Sequence, residues 1–279
     1  MRGKRLYFGR FPRFFADLVD ERRPPLRIPT LVIVAHPDDE VIGMGAQLQR
    51  LKNATLLHIT DGAPKNPEDA KNAGYYSASD YANARRRELE NALHIAGASL
   101  SNTLELKVRD QEASLELGGI TEAVRRITSE IRPRVVFTHP YEGGHPDHDA
   151  TAFAVHAACA RLPRPPCIIE MTSYHWECSR MVTGKFLTSH SREIWTAFLN
   201  PEELKIKRLM FNCFKTQEPV LRAFRIDAER FRVAPRYDFS TPPHPGTLYG
   251  SHNQFGITAR FFNSLAQATL VENGIQGRI

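Results

Sequence analysis

Apolar runs alternate with helix-like stretches along the first 160 residues of the chain. The runs have the length of buried strands, and they lie at 31–35, 54–60, 104–108 and 134–138. Helices are predicted between them, over 41–52, 80–96 and 120–131. Gly97 and Pro133 end the second and third of these helices. Strands and helices therefore alternate, which predicts an α/β fold with a mainly parallel sheet.

The chain becomes less regular after residue 160. A proline cluster at 163–166 marks a linker, and the run at 167–176 is strand-like. An irregular segment over 235–250 precedes a terminal helix over 255–273. We therefore expect an N-terminal tail, a main domain and an irregular C-terminal segment packed on the same domain, over 1–29, 30–220 and 221–279.

Two of the predicted strands end in clusters of histidine and carboxylate side chains. The run ending at Ala35 continues as His36-Pro37-Asp38-Asp39-Glu40. The run ending at Thr138 continues as His139-Pro140-Tyr141-Glu142-Gly143-Gly144-His145-Pro146-Asp147-His148. Open α/β sheets bind ligands outside the carboxyl ends of their strands, where neighbouring ends lie side by side. The two clusters therefore predict one metal site.

The residue types fit a catalytic zinc site, which takes three protein ligands and leaves a fourth position for water. The candidate ligands are His36, Asp39 and His148. Zinc in such a site lowers the pKa of its water to about 7, which makes amide hydrolysis feasible at neutral pH. Asp38, next to a ligand, is the candidate general base. On the other side of the substrate carbonyl, His145 would donate a hydrogen bond or a proton, with Asp147 holding its ring.

Each polar cluster taken alone also has a structural interpretation. A histidine at a strand end is often an ordinary hydrogen-bonded residue, and an Asp-Asp-Glu run before a helix often caps its N-terminus. Both clusters follow apolar runs, and both contain prolines that stiffen the loop presenting the ligands. This combination favours the metal site. Asp39 fits both interpretations, because it can cap the helix while it binds the metal.

At these clusters the chain resembles the LmbE-like, or PIG-L, family of zinc-dependent N-deacetylases, whose hallmarks are an A-H-P-D-D-E and an H-P-D-H segment. Both segments are intact, at 35–40 and 145–148. A weaker resemblance extends over 30–220. The resemblance implies a Rossmann-like, three-layer α/β fold, and it implies removal of an acetyl group from an N-acetylglucosamine-type amino sugar or its conjugate.

The resemblance also implies roles for individual residues. Zinc would be bound by the residues that match the family ligands, His36, Asp39 and His148. Asp38 would be the general base and His145 the acid or oxyanion partner. Histidine and aspartate suit ferrous iron as well, so Zn²⁺ and Fe²⁺ are both candidate cofactors.

Arg85 is a candidate for contact with the substrate. The family places an arginine on this helix near the amino sugar, where it can hydrogen-bond hydroxyls or a phosphate. The alternative is an exposed helical charge paired with Glu88 or Glu90.

Tyr141 and Asp61 are further substrate-binding candidates. Tyr141 stands four residues before His145, within plausible reach of an oxyanion. Asp61 and Asp110 are polar residues at strand ends. The loop over 63–79, rich in Pro, Asn, Lys and Gly, is either a lid over the pocket or a plain surface excursion.

Composition narrows the classes of function. The net charge of +6 and the pI near 9.2 come from basic residues spread along the chain, with a bias toward anionic substrates. No basic run interleaved with aromatics resembles a nucleic-acid module. The four cysteines show no C-x-x-C spacing, which argues against a zinc ribbon or a disulfide framework and favours free thiols in the cytoplasm.

The N-terminus carries basic and aromatic residues but no continuous apolar core of a signal peptide. No segment has the apolar length of a membrane span. The tail either packs its phenylalanines on the domain or forms a basic aromatic patch that meets an anionic membrane or a carrier-linked substrate.

Three classes of function remain open. The first is a zinc N-deacetylase acting on an N-acetylated amino sugar. The second is a metal-dependent amidase acting on another small acylated amine or a thiol-sugar conjugate. The third is a nucleotide-binding module without hydrolysis, which is disfavoured because the first strand lacks G-x-G-x-x-G and carries metal-ligand types instead.

Overall fold

A mainly parallel sheet forms the centre of the protein. The computed structural model describes residues 11–20, 22–98, 100–187, 193–249 and 255–279. In chain order the strands are β1 (Thr30–Val34), β2 (Ala54–Pro64), β3 (Leu100–Asp110), β4 (Val135–Thr138), β5 (Cys167–Met171), β6 (Tyr174–Glu177), β7 (Arg180–Thr183), β8 (Ile194–Phe198) and β9 (Ala228–Val233). Strands β6 and β7 pair as a separate hairpin.

The other strands form one sheet in the order β3-β2-β1-β4-β5-β9-β8. The first five strands of this order are parallel to their neighbours. Strand β9 is antiparallel to β5, and β8 is antiparallel to β9. The predicted α/β fold with a mainly parallel sheet is therefore confirmed.

Helices cover both faces of this sheet. They are α1 (Phe11–Val19), α2 (Asp39–Met44), α3 (Glu68–Asn72), α4 (Ala78–Ile95), α5 (Leu117–Ile131), α6 (Pro146–Ala160), α7 (Pro201–Phe211), α8 (Glu218–Leu221) and α9 (Ala259–Glu272). Leu31 and Ile33 of β1 pack in a core with α5, α6 and α9. Val32 and Val34 pack in a second core with α1, α2 and α4. Because successive side chains of a strand point to opposite faces, the four residues of β1 that pack in these two cores, Leu31–Val34, must all be apolar.

The carboxyl ends of β1 and β4 lie side by side. Thr30 pairs with Val135 and Val32 pairs with Phe137 in parallel register. The chain leaves β1 into the first polar cluster and leaves β4 into the second. The predicted meeting of the two clusters at one edge of the sheet is confirmed.

The helix predicted over 41–52 was wrong in its extent. It begins at Asp39, ends at Met44 and continues as a 3₁₀ helix over Gly45–Arg50. An α-helix would require the Ala46 N–H to donate to the Ile42 carbonyl. Instead Ala46 N donates to Glu229 Oε1 at 2.9 Å, and Ile42 O accepts from Lys207 Nζ at 3.0 Å. A buried lysine–glutamate pair thus replaces one helical hydrogen bond.

The later part of the chain holds two further differences. The predicted strand over 167–176 is two strands, β5 and β6, which belong to different sheets. Strand β9, which the sequence did not predict, lies between β5 and β8 in the central sheet. Strand β9 lies within the predicted C-terminal segment, 221–279. The boundaries of that segment stay a prediction.

The N-terminal helix α1 packs against the sheet. Phe15 and Leu18 are buried, and the Phe15 ring stacks on Trp195 with centroids 4.0 Å apart. The expected packing of the tail on the domain is confirmed for these residues, while the basic positions of 1–10 lie outside the described residues. None of the helices that the structure describes combines the length and the apolar composition that a membrane crossing requires.

Candidate metal centre and active site

Two strand–helix junctions build the candidate site. The first junction runs from β1 into α2 and carries His36, Asp38 and Asp39. The second runs from β4 into α6, which begins at Pro146 with His145 as its N-cap. Proline is favoured in the first turn of a helix because it has no N–H to leave unbonded. His148, in the first turn of α6, is thereby held at the same sheet edge as His36.

Three potential ligand atoms converge in the site. His36 Nδ1 lies 3.2 Å from Asp39 Oδ2 and 3.3 Å from His148 Nε2. His148 Nε2 lies 3.1 Å from Asp39 Oδ1. A tetrahedral metal with bonds of about 2.0 to 2.1 Å separates its ligands by about 3.3 Å. The three atoms therefore have the mutual spacing of metal ligands.

The second nitrogen of His36 faces carboxylates. Its Nε2 lies 3.1 Å from Asp110 Oδ1 and 3.3 Å from Asp147 Oδ2. Burial alone would lower the pKa of His36, but Asp110, Asp147 and Asp39 together raise the pKa well above its usual value. The site therefore favours positive charge. A carboxylate on the far nitrogen of a histidine ligand fixes the ring and raises its basicity.

Asp147 is itself held by the backbone. Its Oδ2 accepts from Gln111 N at 2.6 Å, and its Oδ1 accepts from Ala113 N at 3.1 Å. The predicted contact with the His145 ring is long, with 3.8 Å between His145 Nδ1 and Asp147 Oδ2. The Asp147 carboxylate is therefore closer to His36 than to His145, and it is the backbone N–H of Asp147 that holds the His145 ring, at 3.2 Å from Nδ1.

A second group of side chains could also hold an ion. It consists of His36, Asp110, His145 and Asp147, with ligand atoms within 4.8 Å of one another. In this group His145 Nε2 stands 3.9 Å from Asp110 Oδ1. The two Asp147 oxygens already accept backbone hydrogen bonds. The ligand atoms of His36, Asp39 and His148 lie closer together, within 3.3 Å of one another, so their spacing fits a single ion better.

Asp38 forms a buried ion pair with Arg85. Arg85 Nη2 donates to Asp38 Oδ2 at 2.9 Å, and Arg85 Nη1 donates to the Gly62 carbonyl at 2.8 Å. Gly62 has a φ of +68°, and a side chain there would overlap the guanidinium. Burial raises the pKa of Asp38 to about 6 against the opposing effect of Arg85. The interpretation of Arg85 as an exposed charge paired along its helix is wrong, because Arg85 is only 4% exposed.

His145 has a defined neutral form. Its Nδ1 accepts from Asp147 N at 3.2 Å, so the proton of the neutral ring is on Nε2. Burial, followed by the charge of His36, lowers the pKa of His145 to about 3. The ring is therefore a hydrogen-bond donor at neutral pH. The His145 ring contacts the Phe255 ring, with centroids 4.4 Å apart and an interplanar angle of 56°.

His139 is a site residue that the sequence analysis did not assign. Its Nε2 accepts from Ala35 N at 3.0 Å and lies 3.3 Å from Asp39 Oδ2. Its ring stacks on His148 with centroids 4.0 Å apart and an interplanar angle of 6°. His139 thus links the Ala35 backbone, at the end of the first apolar run, to the candidate ligands Asp39 and His148. Its place directly after β4 was the available signal.

The other substrate candidates lie in different surroundings. The Tyr141 hydroxyl donates to Thr241 O at 2.9 Å and accepts from Asn263 Nδ2 at 2.7 Å. These bonds hold it beside the C-terminal segment, and no described contact joins it to the histidines. Asp61 is half-buried and accepts from Ala63 N at 2.9 Å, and burial raises its pKa. Their roles toward a substrate stay predictions.

A buried charge network supports the loop before His145. Arg232 Nη2 donates to Glu142 Oε1 at 3.2 Å, and Arg232 Nε donates to Glu170 Oε2 at 2.6 Å. The Tyr237 hydroxyl donates to Glu170 Oε1 at 2.6 Å. Arg232 and Glu170 are directly opposite each other on β9 and β5. Strand β9, the last strand in chain order, therefore holds the loop that leads into α6.

Replacing Arg232 by Met is expected to lower the free energy of unfolding by about 3 to 5 kcal/mol, because it leaves buried carboxylates without their cation. Urea unfolding followed by circular dichroism measures this change. Arg236→Met, an exposed arginine of the same segment, is the control and should change stability by less than about 0.5 kcal/mol. Equal effects of the two substitutions would contradict the role of the network.

Comparison with known proteins adds independent information. A sequence model of the PIG-L family, described as GlcNAc-PI de-N-acetylase, matches residues 31–159. A 1D-myo-inositol 2-acetamido-2-deoxy-alpha-D-glucopyranoside deacetylase 2 of Catenulispora acidiphila is 30% identical over 211 residues, which cover 62% of this chain and 67% of that protein. A probable N-acetyl-alpha-D-glucosaminyl L-malate deacetylase 2 of Bacillus anthracis is 30% identical over 143 residues, covering 48% of this chain. This chain spans 60% of the length of that Bacillus relative.

Solved structures share the fold. The A40926 pseudoaglycone deacetylase superposes with a TM-score of 0.57 at 21% sequence identity, over 76% of this chain and 99% of that one. At this identity the likeness shows a common three-dimensional arrangement. It places the central sheet and its covering helices in an architecture already seen in crystals.

Proposed function

The chain belongs to the PIG-L family, and on that premise we propose that it is a metal-dependent hydrolase that removes the acetyl group from an N-acetylglucosamine-type amino sugar or its conjugate. The observation that carries the proposal is the convergence of His36 Nδ1, Asp39 and His148 Nε2 beside a buried carboxylate with a raised pKa. A general base poised near neutral pH next to a Lewis-acid site suits amide hydrolysis.

We propose His36, Asp39 and His148 as the ligands of the metal, with Zn²⁺ as the first candidate and Fe²⁺ as the second. The spacing of their ligand atoms fits a tetrahedral ion, and the surrounding carboxylates favour positive charge. When bound, the metal would polarise the acetamide carbonyl and lower the pKa of a water molecule. The carboxylates of Asp110 and Asp147 would hold the His36 ring in its ligating orientation.

The protein side chains supply the proton transfers. Asp38 accepts a proton from the attacking water and gives it to the amine nitrogen as the C–N bond breaks, which frees acetate and the amino sugar. Arg85 keeps the Asp38 carboxylate oriented toward the site. His145, with its proton on Nε2, donates a hydrogen bond to the oxyanion that develops on the carbonyl oxygen. Arg85 and Asp61 are proposed to contact sugar hydroxyls.

His145→Ala is expected to keep the metal and lose roughly 10²- to 10³-fold in kcat, because only the oxyanion donor is removed. Elemental analysis and initial rates measured on the same preparation check this separation. Loss of the metal together with activity would instead assign His145 as a ligand and favour the group that contains Asp110.

Mass spectrometry after incubation with a panel of N-acetylated amino sugars tests the function. We expect loss of one acetyl group and release of acetate from at least one 2-acetamido sugar. The alternative is a metal-dependent amidase acting on another small acylated amine or a thiol-sugar conjugate, and it uses the same centre. Cleavage of such an amide without release of acetate from any sugar would favour that alternative.

A further inference from the structure

Aromatic side chains extend outward from the catalytic histidines. Tyr174 lies against His148, with ring centroids 5.3 Å apart, and Phe255 lies against His145 at 4.4 Å. Tyr249 continues from Tyr174 at 4.9 Å, and Trp176 lies 5.8 Å from Tyr249. We call Tyr174, Trp176, Tyr249 and Phe255 the aromatic wall.

Two separate parts of the chain build the aromatic wall. The β6–β7 hairpin supplies Tyr174 and Trp176, and the C-terminal segment supplies the other two rings. Backbone contacts fix both parts to the active-site loop. Tyr249 N donates to the Gly143 carbonyl at 2.9 Å. A Cβ at Gly144 would overlap the Tyr174 carbonyl oxygen, so only glycine permits this close approach.

The outer rings of the wall are not core residues. Trp176, Tyr249 and Phe255 belong to neither of the two large buried clusters on the faces of the sheet, and each remains partly exposed. Partly exposed aromatic rings gain free energy when an apolar surface covers them. Phe255 contacts His145 directly, and Tyr249 is joined to His148 through Tyr174. An apolar surface that covers these rings would therefore lie next to the reacting amide.

Another flank of the site has the opposite character. It is formed by Arg85, Asp110 and Asp61, which come from α4 and the ends of β2 and β3. Charged side chains of this kind can hydrogen-bond the hydroxyls of a sugar ring, and the aromatic wall has no such charged groups. In a 2-acetamido sugar the anomeric substituent is attached to the carbon next to the one that carries the amide. A sugar bound by its hydroxyls on the polar flank can therefore direct this substituent to the wall.

We propose that Trp176, Tyr249 and Phe255 form a subsite for an apolar aglycone, so that the substrate is an N-acetylated amino sugar with an aromatic or alkyl group on its anomeric carbon. This inference rests on the proposed deacetylase function. The aromatic wall favours conjugates whose aglycone it can cover, and it adds no binding energy for a sugar without an aglycone.

Kinetics with paired glycosides test the subsite. The metal-loaded protein is assayed with methyl, n-octyl and 4-nitrophenyl N-acetylglucosaminides of both anomeric configurations, with acetate release as the readout. For the preferred anomer we expect kcat/KM to be about 10- to 100-fold higher for the 4-nitrophenyl and octyl glycosides than for the methyl glycoside, from roughly two aromatic contacts. Trp176→Ala should reduce this preference about fivefold or more. Phe198→Ala, which removes an aromatic ring of β8 that is 76% exposed, is the control and should leave the preference unchanged.

A binding measurement gives a second readout that does not depend on turnover. The chain has two tryptophans, and Trp195→Phe leaves Trp176 as the fluorescent reporter. The 4-nitrophenyl glycoside should quench this fluorescence saturably, after correction for absorbance, and the methyl glycoside should not. If acetate is released equally well from all glycosides, the subsite is refuted and the deacetylase function stands. If no glycoside is hydrolysed, the proposed function fails, and the absence of saturable quenching would then refute the subsite as well.

Discussion

Asp38→Asn is expected to lower kcat by roughly 10²- to 10⁴-fold with little change in KM, because the water loses its proton acceptor while the side chain keeps its size. The amide oxygen of the substituted residue can still accept from Arg85, so the local geometry is retained. Metal content should stay at the wild-type level. Steady-state kinetics and elemental analysis of the same samples measure the two quantities.

The pH profile makes this prediction sharper. A base must be deprotonated to act, and burial raises the pKa of Asp38 to about 6. The wild-type kcat/KM should therefore fall as the pH drops below about 6, and this acidic limb should vanish or move in Asp38→Asn. Asp80→Asn, an exposed carboxylate on the helix that carries Arg85, should leave both rate and profile unchanged. Near-normal turnover with an unaltered limb would exclude Asp38 as the base.

His148→Ala is expected to remove the metal and to lower activity by about 10³-fold or more, since a divalent ion contributes several kcal/mol of transition-state stabilisation. The wild-type protein should hold about one divalent ion per chain. Elemental analysis after dialysis against a weak chelator checks both values. His94→Ala, an exposed histidine on α4, is the matched control and should retain the ion.

Asp110→Asn distinguishes the two groups of candidate ligands. In the proposed centre Asp110 orients His36 and is not itself a ligand, so the variant should keep its metal with an affinity lowered about 10- to 100-fold. Complete loss of the ion in Asp110→Asn and normal occupancy in His148→Ala would together move the metal to the group that contains His145 and Asp147.

The sequence predicted the centre of the fold because the signals there are local. The apolar run of β1 is buried on both faces, and His36 follows it directly. The same holds for β4 and the second cluster. Parallel pairing of these strands then brings the two clusters together without further information. The α/β class and the meeting of the clusters were therefore predictable.

The parts that were missed depend on contacts between distant residues. The first helix ends early because Glu229 and Lys207 take the hydrogen bonds of Ala46 and Ile42, across separations of 183 and 165 residues. No pattern within the helix carries that information. His139 was missed for a related reason, since its role comes from its bond to Ala35, 104 residues earlier in the chain.

The residues around Arg232 that support the candidate site are synthesised well after the candidate ligands. All the proposed metal ligands have been translated once residue 148 is made. The partners of the neighbouring loop come later, because Glu142 bonds to Arg232, 90 positions after it, and Tyr141 bonds to Asn263, 122 positions after it. At typical translation rates the ligands precede their support by roughly ten seconds. From the synthesis of β5 until β9 pairs with it, the β5 edge has unpaired backbone groups that favour aggregation. Nascent chains stalled before residue 228 should therefore depend on chaperones, and the proposed activity should appear only after β9 has left the ribosome.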